Sequence, residues 1–340
     1  LEVVDFAPEG FCGGTLGFIT ESQLLRLSRT GLANSGLIVA EVTARAVEPL
    51  PATFTGIFVR LDGTEPYDRT PADDPASNPL SPGIPNYNFY SLEVVQRIGY
   101  DSFCPDSGVL IAKNKDSLRG NNGGPNAFNS YIWVIDAHPE DINMVDYVKP
   151  NGEKVMRTIA DYRQLNDALF HAGLDSGSQF EWEDTTNRLH FYVIDRHLNK
   201  DGILSYTLGI RSLDGSEPQE RGAALQGQSK QKIQGVVTPL SFILENTGKA
   251  AKTDPALHPS DAKAYLNSDV YRLSVSVKGK WWSARLLNAL AAVEFGMSKT
   301  VIVYAGCEEG SSPRATVTLR AVSESDPSKT AMANIQVLMK

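Results

Sequence analysis

Residues 189–208 decide the fold class of this sequence and read LHFYVIDRHLNKDGILSYTL. Residues 189–194 and 203–208 are rich in aromatic and β-branched side chains, which favour strands. The four residues NKDG at positions 199–202 belong to the types that dominate tight turns. The stretch therefore predicts two strands joined by a hairpin-like turn.

The sequence before this hairpin continues the strand pattern. Runs of strand-forming residues predict five more strands, at residues 37–42, 55–61, 87–95, 109–112 and 131–135. Prolines cannot donate regular ladder hydrogen bonds, and those between residues 64 and 87 predict a long surface loop.

Two segments of the same region predict helices. Thr158 and Asp161 form a capping-box pattern ahead of an apolar stripe that stops at Gly173, which predicts a helix over residues 158–172. A similar pattern between residues 20 and 31 predicts a short amphipathic helix.

The last third of the sequence predicts a separate all-β domain. Residues 214–235 are polar and rich in Gly, Gln, Ser and Lys, which indicates a linker. Short strands are predicted beyond it at residues 241–244, 271–277, 300–304, 315–319 and 333–337, a spacing that suits an immunoglobulin-like β-sandwich. Residues 284–295 have a helix-favouring composition, and we expect a strand edge and a helical turn there.

The predicted fold class is mainly β with a few helices, α+β in its first region, with antiparallel sheets and a C-terminal immunoglobulin-like β-sandwich. The predicted domains are residues 1–213 and residues 236–340, joined by the linker.

Composition limits the classes of function. The 340 residues carry a net charge of -8, which argues against nucleic-acid binding because that activity needs clustered basic residues. The sequence contains no apolar run near the roughly 20 residues of a membrane-spanning helix. Because position 1 is Leu and no signal peptide follows, we expect a fragment or a mature product.

Cysteine usage leaves the disulfide question open. Cys12 and Cys104 could pair in a secreted protein, and Cys307 stands alone in the last region. Three buried thiols are an equal alternative.

Several catalytic motifs are missing from the sequence. None of the five histidines is followed by Glu, so the zinc-binding pattern His-Glu-x-x-His cannot be formed. No Gly-x-Ser-x-Gly nucleophile elbow, Walker loop or dinucleotide fingerprint is present either. A pair of glycosidase carboxylates stays possible because its two acids need not be close in sequence. We therefore predict no catalytic residues in this chain.

The hairpin turn offers a candidate calcium site. Asn199 and Asp201 precede Gly202 at alternate positions, and Asp195 could add a carboxylate. The twelfth position counted from His197 is Leu208 instead of the required glutamate, which excludes an EF-hand. A solvated hairpin turn is the favoured alternative.

Trp281 and Trp282 are the candidate ligand-binding residues of the last domain. Adjacent residues of a strand point to opposite faces, so we expect one ring in the core and the other partly exposed, where it could stack on a sugar. A second neighbourhood, of His171 with several acids between Asp175 and Asp184, could serve acid–base chemistry or simply solvate a loop.

Residues 90–111, which read YSLEVVQRIGYDSFCPDSGVLI, resemble the segment after the catalytic domain in secreted zinc metalloproteases of the immune-inhibitor and gametolysin-like type. The resemblance extends through WVIDA at 133–137 to about residue 213, and LGFI at 16–19 is similar to the end of such catalytic domains. It implies a secreted protein whose zinc helix lies upstream of Leu1. Residues 317–327 resemble the immunoglobulin-like modules attached to bacterial glycosidases and proteases.

The favoured function is therefore a non-catalytic accessory region that stabilises, positions or targets the upstream catalytic domain of the same protein. Zinc is expected only in that domain, and calcium is the possible cofactor here. The first alternative is a stand-alone secreted protein that binds carbohydrate or a cell-surface glycan or protein through an exposed tryptophan. The second is an independent hydrolase that uses Asp or Glu residues.

Overall fold

The structure is a computed structural model and describes residues 20–63, 89–115, 131–158, 162–214, 218–228, 230–233 and 237–339. Its strands are β1 (Leu24–Ser28), β2 (Leu37–Thr43), β3 (Gly56–Arg60), β4 (Phe89–Val95), β5 (Gly108–Lys115), β6 (Tyr131–Val134), β7 (Val145–Val148), β8 (Lys154–Met156), β9 (Glu181–Asp184), β10 (Leu189–Leu198), β11 (Leu204–Ser212), β12 (Ala224–Gly227), β13 (Lys230–Ile233), β14 (Val237–Glu245), β15 (Ser268–Lys278), β16 (Trp282–Leu286), β17 (Leu290–Glu294), β18 (Ser298–Cys307), β19 (Arg314–Ser323) and β20 (Thr330–Met339). The described α-helix is α1 (Arg29–Ser35), and short 3-10 turns join some of the strands.

The two larger sheets of the N-terminal unit share one core, and β7 and β8 pair in a separate two-stranded sheet. The strand orders of the larger sheets are β1-β3-β4-β5-β6 and β2-β11-β10-β9, and β1 is parallel to β3 whereas the other pairs are antiparallel. All seven residues of β4 are buried. Its Tyr90 packs against Trp182 and Phe191 of the other sheet. Burial of these side chains between the sheets supplies the main stabilising term of this unit.

Two further sheets form the C-terminal unit. Their orders are β12-β14-β18-β16 and β13-β20-β19-β15-β17. Buried side chains alternate along β19 in the pattern of a strand with one face on a core. The core includes Phe242 from the first sheet together with Tyr271 and Ile335 from the second. The unit is therefore a β-sandwich.

The connection between β14 and β15 ties the two units together. It leaves the C-terminal sandwich and places Ala262 and Leu266 in the core of the N-terminal unit. Tyr265 contacts Phe54 edge to face, with 5.2 Å between ring centroids. His258 on the same connection lies against α1 and is 7% exposed. The N-terminal core is thus completed by residues that come from beyond residue 245.

A second contact between the units is apolar at its centre and charged at its edge. Tyr192 and Ile194 of β10 cluster with Val270 and Leu290 of the C-terminal unit. Beside them, Arg272 of β15 donates hydrogen bonds to Glu181 of β9 and to Glu324. Burial alone would raise the pKa of Glu181, but hydrogen bonds from His190 and Arg272 outweigh it and lower that pKa to about 2. Glu181 is therefore charged at neutral pH and holds the arginine in place.

The predicted fold class is confirmed, because the described chain is mainly β with antiparallel sheets and sandwich-like packing. The strands predicted from residue 37 onward all lie within or overlap strands of the structure. The predicted hairpin at residues 189–208 is the antiparallel pair β10–β11.

The helix predicted over residues 158–172 is wrong in its described part. Residues 162–165 form a 3-10 turn, and Phe170 then pairs with Val109 through two backbone hydrogen bonds of 2.9 Å. Ala168 accepts a further bond from the backbone N–H of Ala137. This extended pairing with β5 and the segment after β6 satisfies the backbone without a helix, and it overrides the apolar stripe.

Three smaller predictions also need correction. The helix predicted at residues 20–31 is a 3-10 turn followed by β1 and the start of α1, because Leu24–Ser28 pair in parallel with β3. The predicted linker contains β12 and β13, each paired to a strand of the sandwich. Residues 284–295 carry the end of β16 and all of β17, with no helical turn.

Some predictions lie outside the described residues. These are the opening segment with Cys12 and LGFI, residues 64–87 of the proline-rich loop, and residues 159–161 of the predicted helix.

Candidate functional site

Asp136, His138 and Asp167 form a candidate metal centre in the N-terminal unit. One ligand atom from each side chain lies within 4.8 Å of the others, and within the described residues this is the one such group of His, Cys, Asp or Glu. Asp136 and His138 follow β6, whereas Asp167 precedes the extended segment that pairs with Ala137. Backbone pairing between these two segments brings the three side chains together, although His138 and Asp167 are 29 positions apart in the sequence.

Asp141 lies near this group, close enough for its charge to raise the pKa of Asp136, and it contacts Arg157 and Gln164. Arg157 donates a hydrogen bond to Oδ2 of Asp141, and Nε2 of Gln164 lies 3.2 Å from the same oxygen. Several buried oxygens of the neighbourhood have no hydrogen-bond donor: Asp136 Oδ2, Asp141 Oδ1, Gln164 Oε1 and Asp167 Oδ1. Buried polar atoms are almost always paired, so a cluster of acceptors without donors is unusual.

The electrostatics of the site reflect crowded negative charge. Burial raises the pKa of Asp136, and the nearby carboxylates of Asp167 and Asp141 raise it further. Burial opposes a charge on His138, but hydrogen bonds to the carbonyl oxygens of Gly177 and Asp167 outweigh it and raise the pKa of His138. The arrangement favours a positive charge among these acids.

The donor set does not fit a catalytic zinc ion. Such sites use three nitrogen, sulfur or carboxylate ligands and keep an open position for water. His138 is the one nitrogen donor of the group, and its two ring nitrogens face the carbonyl oxygens of Asp167, at 2.5 Å, and of Gly177. Neither nitrogen has a lone pair directed at the two carboxylates. The remaining oxygen atoms suit a hard cation instead.

The residues of the predicted calcium site have other partners. Nζ of Lys299 lies 2.8 Å from Oδ2 of Asp195, which joins the two units by an ion pair. Oδ1 of Asn199 accepts hydrogen bonds from the backbone N–H groups of Asp201 and Ile203, as in an ordinary turn. Calcium binding at Asp195, Asn199 and Asp201 stays a prediction.

One of the two tryptophans of the C-terminal unit is buried and the other exposed, as expected, but Trp281 lies in the turn before β16 and not on the strand. Trp282 is buried, and its indole N–H donates to the carbonyl of Ser312 at 2.9 Å. Trp281 is 54% exposed and has a positive φ of 58°. Nζ of Lys280 lies 4.3 Å from its ring centroid, and the backbone of Gly310 packs against its edge. Ligand binding at Trp281 and Trp282 stays a prediction.

The acidic neighbourhood of His171 is divided among separate contacts. His171 Nε2 lies 2.7 Å from Asp106, and Asp184 lies in a buried network with Tyr90 and Lys113. Glu181 faces Arg272 at the contact between the units. These acids therefore serve as individual ion-pair partners. Among the described cysteines, Cys104 and Cys307 are free thiols.

Sequence reasoning missed Asp136, His138 and Asp167 as a site. A weak signal exists in the pattern Asp-x-His directly after a strand, within the run WVIDAHP. Asp167 could not be found because its segment appeared helical, and only the pairing of Ala137 with Ala168 places it beside Asp136.

No helix within the part of the chain that the structure describes is long and apolar enough to cross a bilayer.

Comparisons with known proteins place this fold in a family. A family model described as a middle domain matches residues 15–213, and one described as a Peptidase M6-like domain matches residues 220–340. A protein of Arthroderma benhamiae named "Putative secreted metallopeptidase" is 45% identical over 330 residues. The match covers 95% of this chain and 46% of the relative, so the chain spans about half the length of the curated relative it matches. The secreted localisation is confirmed by this relationship. The chain thus belongs to the family defined by this middle domain, and it is a metallopeptidase-related region.

Proposed function

We propose that this chain is a non-catalytic accessory region of a secreted zinc metallopeptidase, and that it stabilises and positions a catalytic domain in the same polypeptide. The observation that carries the proposal is the extent of the match, which includes nearly all of this chain but leaves more than half of the relative outside it. The proposal puts the catalytic zinc in that remaining part. The sequence supports this because it lacks the His-Glu-x-x-His pattern.

We further propose that the parent protease is of the immune-inhibitor and gametolysin-like type. The support for this type is the run at residues 90–111, which forms β4, a 3-10 turn and β5. Glu93 and Asp101 of this run both contact the buried guanidinium of Arg45. The residues that carry the resemblance are therefore structural, which agrees with an accessory role.

The C-terminal unit is proposed to be an immunoglobulin-like module. The order β12-β14-β18-β16 corresponds to strands A-B-E-D of an immunoglobulin sheet, and β20-β19-β15 corresponds to G-F-C. The strands β13 and β17 extend the second sheet at its two edges. The proposed division into two units is supported by the two separate family matches, at residues 15–213 and 220–340. Because β12 and β13 pair with strands of the sandwich, we propose that the second unit begins near residue 220 and not at residue 236.

A positioning role requires that the two units stay fixed to each other. The connection that carries Ala262 and Leu266 into the N-terminal core supplies one attachment. The apolar cluster around Tyr192 and Ile194 supplies another, and Arg272 closes its edge. An element with several separate attachments resists hinge motion better than one joined by a flexible linker.

Replacing Arg272 by alanine tests this rigid attachment. We expect a loss of about 1–2 kcal/mol in the free energy of unfolding, because charge-assisted hydrogen bonds are lost at a partly exposed site where solvent screens them. We also expect the maximum dimension measured by small-angle X-ray scattering to increase as the units separate. Arg285→Ala is the matched control, since Arg285 also pairs across the units, with Asp175, but both side chains are exposed.

The control should change stability by less than about 0.5 kcal/mol and leave the scattering profile unchanged. A scattering profile of Arg272→Ala that matches the unsubstituted chain, together with unchanged stability, would remove Arg272 from the attachment.

A further inference from the structure

We propose that Asp136, Asp141, Gln164 and Asp167 bind a hard divalent cation of the calcium type. Asp136 and Asp167 have ligand atoms within the 4.8 Å group. Asp141 lies outside that group but is close enough for its charge to raise the pKa of Asp136, and it contacts Gln164 and Arg157. Each of the four proposed ligands has one buried side-chain oxygen without a hydrogen-bond donor. This proposal does not depend on the accessory function, because it concerns a site contained within this chain.

Gln164 distinguishes this cluster from an ordinary group of surface acids. Gln164 is only 6% exposed, and its side-chain amide donates a hydrogen bond to Asp141, with 3.2 Å between Nε2 and Oδ2. Oε1 of the same amide is buried without a donor. A neutral amide oxygen in such a place costs free energy unless a hydrogen-bond donor or a cation satisfies it. A neutral oxygen next to carboxylates is a common part of calcium coordination.

The chemistry of the ligands selects the class of cation. Calcium takes six to eight oxygen ligands from carboxylates, amide carbonyls and water, and tolerates irregular geometry. Zinc and the later transition metals favour nitrogen and sulfur. Both ring nitrogens of His138 face backbone carbonyl oxygens, so the histidine supports the loop and is not a ligand.

Arg157 leaves part of this negative charge available. It contacts Oδ2 of Asp141 and lies 3.9 Å from Asp146, but it donates no hydrogen bond to Oδ1 of Asp141. Asp136 accepts one hydrogen bond, from the backbone N–H of His138, on Oδ1 only. The side-chain oxygens without a hydrogen-bond donor belong to two segments, residues 136–141 and 164–167. A cation bound between these segments would cross-link them.

The cross-linked segments hold the base of the β7–β8 hairpin. Asn143 donates to the carbonyl of Arg157, and the N–H of Arg157 donates to Met144, so the hairpin starts directly beside Asp141. The hairpin exposes apolar side chains: Met144, Val145, Tyr147, Val148 and Met156. An isolated two-stranded sheet is marginally stable in water, so a cation at its base would order it.

Calorimetric titration of the chelator-treated chain with calcium chloride tests the site. We expect one calcium ion per chain, a rise of several degrees in melting temperature, and slower hydrogen exchange over residues 143–157. Asp136→Asn and Asp167→Asn should each weaken binding by more than about 100-fold, and Gln164→Leu by about tenfold. In the absence of calcium, the two aspartate variants should have a higher melting temperature than the parent chain, because they relieve repulsion between buried carboxylates. Added calcium should not raise the melting temperature of either variant further.

Two control variants keep the result specific. Asp175→Asn changes an exposed acid outside the cluster, and Asp201→Asn changes the hairpin turn between β10 and β11. Both should bind calcium as the parent chain does. The proposal is overturned if calcium does not bind at millimolar concentration, or if binding is lost in Asp201→Asn but kept in Asp136→Asn. Zinc binding that exceeds calcium binding and disappears in His138→Gln would also overturn it.

Discussion

Replacing Arg45 by alanine should lower the free energy of unfolding by about 3–5 kcal/mol, the loss typical of removing one partner from a buried ion pair. The guanidinium donates to Oδ1 and Oδ2 of Asp101 at 2.9 and 2.8 Å and to Oε2 of Glu93 at 2.9 Å. All three side chains are almost fully buried. Burial alone would lower the pKa of Arg45, but the two carboxylates raise it above its ordinary value, so the group stays charged. Its removal leaves two buried negative charges without compensation. Urea denaturation at pH 7 measures the loss.

Arg188→Ala is the matched control for this substitution. Arg188 also pairs with an aspartate, Asp214, but both side chains are about half exposed. Exposed pairs contribute at most about 1 kcal/mol, so the control should unfold nearly as the parent chain does. If the two alanine variants lose the same free energy, the buried network does not hold the turn at residues 99–101 onto the sheet.

Acid should destabilise the chain through His258, by up to about 3 kcal/mol between pH 6.5 and pH 4. Burial lowers the pKa of His258 to about 4. Its Nδ1 accepts a hydrogen bond from the backbone N–H of Ser28, and Nε2 lies 3.0 Å from Oγ of Ser35. A neutral ring protonated on Nε2 satisfies both contacts, whereas a proton on Nδ1 would oppose the N–H of Ser28.

The direction of this pH dependence follows from the different pKa values of His258 in the folded and unfolded chains. His258 takes up a proton near pH 6.5 in the unfolded chain but only near pH 4 in the folded chain. The stabilisation that neutral His258 contributes to folding is therefore complete above pH 6.5 and is lost as the pH falls to 4. Urea denaturation at pH 7.5, 6.0, 5.0 and 4.0 should show the loss in the parent chain. His258→Gln should lack this component of the pH dependence.

His197→Gln provides a control with the opposite sign. A hydrogen bond to Glu41 raises the pKa of His197, so its stabilising contribution is present below pH 6.5 and lost as the pH rises. Its removal should leave the acid loss in place. Identical pH profiles for the parent chain and His258→Gln would show that the connection between β14 and β15 does not hold a neutral histidine against α1.

The hairpin and most strands could be predicted from sequence because their signals are local. Residues 189–194 and 203–208 combine strand-forming side chains with a turn of Asn, Asp and Gly, and the antiparallel pair β10–β11 follows from these alone. The assignment of the β-rich fold class depends on such runs. It needs no knowledge of which strands are neighbours.

The errors occur where tertiary contacts outweigh local preference. Thr20 and Gln23 do form a capping box, but it begins a single 3-10 turn, and Leu24–Ser28 then pair with β3. Phe170 falls within the helix predicted over residues 158–172 and is nevertheless extended, because its backbone pairs with Val109. In both places a neighbouring strand supplies hydrogen bonds that no local pattern reveals.

The candidate metal centre depends on the same long-range pairing. Asp136 and Asp167 become neighbours only because Ala137 and Ala168 are hydrogen-bonded. The sequence-based candidates at residues 195–201 were chosen for their close spacing, and spacing cannot show that Asp195 pairs with Lys299 across the two units. Whether a buried oxygen lacks a hydrogen-bond donor can be seen only in the folded structure, so this evidence for a metal centre is not visible in the sequence.

We propose that this chain is a folded scaffold which carries no peptidase chemistry of its own. The most direct measurement is cleavage of fluorescently labelled casein by the purified chain of residues 1–340, with added zinc or calcium and with or without a chelator. We expect no release of label above the buffer control under any of these conditions, from a sample that unfolds cooperatively in urea. Release that is sensitive to the chelator, and that is lost in a His138→Gln variant purified in parallel, would show that the chain has peptidase chemistry of its own.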